Sequence, residues 1–156
     1  MEAKKSVDLT RDQKREALEY LMFLKRKRRG KVKRRGCADG RKQHAYIPRE
    51  DATSPTAATM SVMLTAVIDA LEGREVAVVD VPGAFMQADM DELVHVRFTG
   101  KMVDLLLEID PEMYGPCVVI EKGEKVIYIE LLKARYGTLR AARLFWESSG
   151  RSSRTS

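Results

Sequence analysis

Residues 25–35 read KRKRRGKVKRR, nine cations in eleven positions. A folded chain does not bury such a run, because a charge taken out of water without a partner is very costly. All of it must face solvent or an anionic partner. Gly30 interrupts the run and Gly36 follows it, which favours a turn between short strands over one long helix. The next stretch, CADGRKQHAYI (37–47), reads as an extended hairpin arm. The cations are not balanced along the chain. Residues 1–50 carry 17 Lys/Arg against 7 Asp/Glu, and residues 51–156 carry 11 against 16. A basic first part on an acidic remainder points to a polyanion partner, with a merely solvated basic tail as the alternative.

The 156 residues suffice for one domain with a real core. Cys37 and Cys117 are far apart and outside any metal-ligand spacing, so neither a metal cluster nor a disulfide framework is expected. His44 and His95 are lone histidines, and His95 reads as an outward strand residue. The N-terminus, MEAKKSVDLT, has no apolar h-region, which argues against secretion and for an intracellular location, cytoplasmic or nuclear. No apolar run approaches the ~20 residues of a membrane span.

Local signals place the elements. Thr10 is an N-cap with Asp12 in the first turn, and Leu18, Leu21, Met22 and Lys25 recur at helical spacing, so a helix is expected over 11–27. Ser54-Pro55 marks the start of a second helix, with Met60, Met63, Leu64, Val67, Ile68 and Leu71 as its apolar stripe over 56–71 and Gly73 at its end. EVAVVDV (75–81) and LVHVRF (93–98) read as strands. KMVDLLLEID (101–110) reads as a helix closed by Pro111. Residues 117–132 read as a hairpin about Gly123, and 138–148 as a helix anchored by Phe145 and Trp146. The polar tail GRSSRTS (150–156) is expected to be disordered. Helices alternating with hairpins, without a βαβ series, give the α+β class.

The order of these motifs carries a resemblance. After the basic arm come Ser54-Pro55 before a helix, then Asp80-Val81-Pro82-Gly83-Ala84-Phe85 closing a strand, then the acidic stretch from Ala88 to Val96, then Leu132 through Trp146. Over residues 31–147 the chain resembles the fingers-and-palm part of a copia-type retrotransposon reverse transcriptase, with 1–30 as a basic N-terminal helix or extension and 148–156 as a disordered tail. The resemblance implies a partial right-hand polymerase fold of antiparallel hairpins and packed helices. It implies that Asp80, with the Val81 carbonyl, is a Mg²⁺ ligand of a two-metal nucleotidyl-transfer site. Phe85 would pack under the sugar and exclude a 2′-hydroxyl. Tyr136, Gly137 and Arg140 would line the nucleotide side of the palm, and Arg140 and Arg143, three apart, could face one phosphate. Arg34, Arg35 and Arg41 would hold the triphosphate, with Lys33 behind them. Lys25, Arg26, Lys27, Arg28, Arg29, Lys33 and Arg143 would contact the RNA/DNA template–primer.

Two departures limit the expectation. The family's Lys-Gln-Ala-Pro is Leu139-Arg140-Ala141-Ala142 here, which leaves the helix start without its proline. No adjacent aspartates follow Asp80, so the second carboxylate pair of the two-metal clamp is missing from the sequence. The expected function is therefore a fragment of an RNA-directed DNA polymerase, inactive alone, whose partners include template–primer, dNTP and the rest of a retrotransposon polyprotein. The competing readings are a non-catalytic basic nucleic-acid-binding α+β module and a small structural protein whose charge serves only solubility.

Overall fold

The computed structural model describes residues 2–4 and 8–152. It is a mixed α+β fold: six strands, β1 (Glu2–Lys4), β2 (Leu18–Arg26), β3 (Val32–Ala38), β4 (His95–Thr99), β5 (Val119–Glu121) and β6 (Glu124–Glu130), form one mixed sheet in the order β1-β6-β4-β2-β3. β5 shares with β1 the edge of β6 that β4 does not occupy. All pairings are antiparallel except β2 with β4, where Leu18 and Glu19 run parallel to Val96 and Arg97.

β6 is central because both of its faces are apolar. Successive side chains of a strand point to opposite faces. Ile127 and Ile129 pack with Leu18, Val96 and Phe98 on one side, while Val126 and Tyr128 pack with Leu9 and Ala17 on the other. The first face is closed by helix α4 (Lys101–Ile109), which contributes Val103, Leu106 and Leu107. Asp110 then caps the short helix α5 (Pro111–Tyr114), its Oδ1 accepting from the Met113 amide at 2.9 Å. Pro111 thus opens a helix as well as closing one. The hairpin of β5 and β6 turns at Lys122-Gly123, both at positive φ, as a tight two-residue turn requires. Helix α6 (Ala141–Ser152) lays Ala141 and Leu144 on Ala88 and Ala134, with Phe145 beside them.

Several expectations are corrected. Thr10 does cap a helix, and its hydroxyl and Gln13 form a reciprocal capping box, but α1 (Arg11–Glu16) ends before Ala17 and the chain then enters β2. The spacing of Leu18, Leu21 and Met22 suits a helix, yet pairing with β3 and burial of Leu18 against Val96 decide for a strand. The basic run does turn at Gly30, which has φ +78°. The arm expected over 37–47 is extended only to Ala38. Residues Gly40–Ala45 form a 3₁₀ turn, and a short helix α2 (Arg49–Ala52) follows. Helix α3 (Thr59–Glu72) begins after Ala58, not at Ser54-Pro55, and ends as expected with Gly73 in the left-handed conformation. None of its residues is buried, so its apolar stripe faces solvent.

The strand expected over 75–81 does not form. Val76, Val78 and Val79 are exposed, and no strand of the sheet runs beside them; strand-forming residues make no strand without a ladder partner. His95 is buried, not outward, and Trp146 is half exposed, so Phe145 alone anchors that end of α6. Residues 148–152 belong to α6; the tail from 153 lies outside the described residues. Among the described residues no helix is long and apolar enough to cross a membrane.

This packing predicts a sharp contrast. Ile127→Ala removes a fully buried side chain from the sheet centre and should lower unfolding free energy by about 2–5 kcal/mol. Val79→Ala should change it by less than about 0.5 kcal/mol. Urea titration monitored by circular dichroism checks both.

Candidate nucleic-acid interface

Strands β2 and β3 continue past the sheet as a two-stranded ribbon. Their register places Phe23 opposite Arg35, Leu24 opposite Arg34 and Lys25 opposite Lys33. Strand alternation then sorts the side chains. Leu21, Phe23, Lys25, Lys33, Arg35 and Cys37 lie on one face, and Met22, Leu24, Arg26, Val32 and Arg34 on the other. The ribbon closes through Lys27 N–H to the Lys31 carbonyl at 2.8 Å and Gly30 N–H to the Lys27 carbonyl at 2.9 Å, with Arg28 and Arg29 at the tip.

Directly opposed like charges, as at Lys25–Lys33, repel. Among the described residues nothing relieves them. Among the described residues, Lys25, Arg26, Lys27, Arg28, Arg29, Lys31, Lys33, Arg34 and Arg35 have no ion-pair partner. Phe23, 57% exposed, lies in a groove with Lys25, Lys27, Lys33 and Arg35. An exposed aromatic ring among cations is a surface on which a base can stack while its phosphates are neutralised. Phe23 is the ribbon residue that sequence reasoning passed over; its signal was an aromatic two residues before the basic run.

The other arginines expected at the site are already paired. Arg41 forms a fork with Asp39, Nε at 2.9 and 3.0 Å and Nη2 at 2.5 Å, and this holds the Asp39 carboxyl below its ordinary range. Arg140 pairs with Asp91 at 2.6 Å. Arg143 is shared between Asp51 and Glu147, the latter at 2.8 Å. Arg140 and Arg143 thus each face carboxylates and not a common phosphate position.

The ribbon is fixed to the body at its base. Ala38 N–H donates to the Tyr136 carbonyl at 2.8 Å, and Asp39 N–H to the Glu19 carbonyl at 2.8 Å. Gly137, at φ +92°, lies against the Ala38 backbone here. A Cβ there would sit 1.9 Å from the Ala38 carbonyl oxygen, and one at Gly40 would sit 2.2 Å from the Gly137 carbonyl oxygen. Gln43 is fully buried below them. Its amide nitrogen donates to Glu92 at 3.1 Å, and its carbonyl oxygen accepts from the Leu139 amide at 2.9 Å. Tyr20 stacks on Phe98 at 4.3 Å, and its hydroxyl accepts from Arg135 at 3.2 Å.

The residues expected at a metal and nucleotide site divide into two groups. Phe85 and Tyr136 do meet, ring to ring at 4.7 Å, and Phe85 also contacts Phe145 at 6.3 Å. Asp80 lies in the segment that forms no strand, and among the described residues it has no hydrogen-bond or ion-pair partner. The Val81 carbonyl accepts from the Ala84 amide at 3.2 Å. Among the described residues no three His, Cys, Asp or Glu side chains converge as a metal-binding group. A single carboxylate does not fit a two-metal site, so no chemical step is assigned through a metal here. Comparison of the chain with protein-family models, curated proteins and solved structures finds no match.

The base of the ribbon yields two expectations. Gly137→Ala should destabilise the fold by about 1–3 kcal/mol from backbone strain alone, read as a lowered urea midpoint. Burial raises the Glu92 carboxyl above its ordinary value of 4.5, against the opposing pull of Arg140. The folded state therefore binds the proton more tightly than the unfolded chain, so this contribution to stability is present below pH 4.5 and lost as pH rises toward the raised value. Glu92→Gln should remove that fall, measured as the difference between the two stability–pH curves.

Proposed function

We propose that this chain is a fingers-and-palm portion of a copia-type reverse transcriptase whose own activity is to hold nucleic acid on the β2–β3 ribbon. The order of motifs from Ser54-Pro55 to Trp146 supports the descent. The observation that carries the binding is the ribbon's set of cations that have no ion-pair partner among the described residues, gathered around Phe23. Template–primer is the partner by resemblance. Triphosphate would be met by Arg34 and Arg35, which are uncommitted, ahead of Arg41, which Asp39 holds. Among the described residues Asp80 has no companion carboxylates, so the chain catalyses no polymerisation by itself.

A second reading, a non-catalytic nucleic-acid-binding α+β module of other descent, is favoured by the isolation of Asp80. Mg²⁺ titration separates the two. A polymerase remnant should show Mg²⁺- and dNTP-dependent protection of the 80–85 segment that Asp80→Asn removes, and an unrelated module should show none.

The shared prediction concerns salt. Fluorescence anisotropy with labelled single-stranded RNA should give an affinity that falls linearly with salt on logarithmic axes. Replacing Lys25, Lys33 and Arg35 together by Gln should make that slope shallower by about 2–3. Phe23→Ala should weaken binding by about 1–3 kcal/mol and leave the slope unchanged. No binding at low salt would overturn the reading. Incorporation of labelled dNTP by the purified chain, lost in Asp80→Ala, would overturn its non-catalytic part.

A further inference from the structure

The chain carries two backbones with unused hydrogen-bonding groups. The first is the outer edge of β3, the last strand of the sheet. The hydrogen bonds at its two ends show which groups are free. Asp39 N–H donates to Glu19 and the Lys31 carbonyl accepts from Lys27, so the odd-numbered residues direct their backbone toward β2. Ala38 N–H donates the opposite way, to Tyr136. Alternation along the continuous register then turns the N–H and C=O of Val32, Arg34 and Gly36 outward, to an open edge.

The second, apart from the Val81 carbonyl, which accepts from Ala84, is residues 75–81, EVAVVDV. It has the β-branched composition of a strand and no proline until Pro82. Yet it forms no strand, and Val78 and Val79 are 95% and 80% exposed. Its charged residues, Glu75 and Asp80, are acidic. The open edge carries Lys33, Arg34 and Arg35, which have no ion-pair partner among the described residues. Within one copy the segment stays in solvent while its own β3 edge stays open, so the match is available between copies.

We propose that residues 75–81 of one copy add as a strand to the free edge of β3 in a second copy. Backbone hydrogen bonds supply the attachment, as in β-strand addition, and the acidic residues of the donor set against the basic edge favour this partner over others. Reciprocal addition closes a two-fold dimer, and one-way addition extends a chain of copies. The hydrogen bonds of this contact use the edge backbone of β3, but its charge complementarity draws on Lys33, Arg34 and Arg35, the side chains proposed to hold nucleic acid, so the added strand and a polyanion would compete for them.

Sedimentation velocity on the full chain over a concentration series tests it. The wild type should show mass rising with concentration. Val78→Pro blocks the donor, and Arg34→Pro removes an N–H that β2 does not use, a place where an edge strand tolerates proline. Each variant alone should stay monomeric with an unchanged circular dichroism spectrum. A mixture of the two should regain association, because one still donates and the other still accepts. Should Arg34→Pro unfold, the paired substitution Glu75→Lys and Asp80→Lys supplies the second arm, with association weakened at low salt. A wild type monomeric throughout, or a Val78→Pro variant that associates like the wild type, would overturn the proposal; the latter would place self-association on the apolar stripe of α3.

Discussion

Gly137 lies directly on the Ala38 backbone, and much of the molecule is hung from that contact. No side chain fits between the two backbones. The Ala38–Tyr136 hydrogen bond ties the end of β3 to the loop that leads into α6. Gly40 extends the approach by one more turn, and Gln43 plugs the space below, satisfied by Glu92 and the Leu139 amide. A buried amide left unpaired costs about 1–3 kcal/mol, so this junction is stable only with all its members present. The ribbon can extend beyond the sheet because its base is held on both strands, through Tyr20 on one and Ala38 on the other.

That anchoring separates two populations of positive charge. In the body of the domain, Arg97, Arg140 and Arg143 each lie against carboxylates and are partly screened from water. On the ribbon the cations repel one another across the strands and along them. A fold that neutralises these three arginines and leaves a projecting set unneutralised has its positive potential concentrated at one end. Charge concentrated this way speeds the approach of a polyanion and fixes which end of the protein meets it first.

What the sequence revealed is what local chemistry encodes. The Thr10 cap, the Gly30 turn, the Lys122-Gly123 turn, the helix at 101–110 and the α+β class each depend on residues close together in the chain. What it concealed depends on partners far away. Leu18 to Arg26 carry spacing that fits a helix, and only β3 and β4 make it a strand. EVAVVDV carries strand chemistry and has no neighbour to pair with, so Asp80 is not at the end of a buried strand as its sequence context suggests. Gln43 sits in the stretch that reads as an extended hairpin arm; its burial follows from Glu92 and Leu139, which lie 49 and 96 residues on. Arg140 and Arg143 have the right spacing to share a phosphate, but Asp91 and Asp51 reach them first.

Helix α3 has a consequence for how the molecule comes apart. Its 14 residues end in a well-formed left-handed cap at Gly73, but none of them is buried. An isolated helix of that length is marginal in water, because nucleation costs more than a few turns return. The core around β6 gains almost nothing from it. The domain is therefore not one cooperative unit: residues 59–72 can melt and reform many times within the lifetime of a single folded sheet, a fast local equilibrium beside a slow global one.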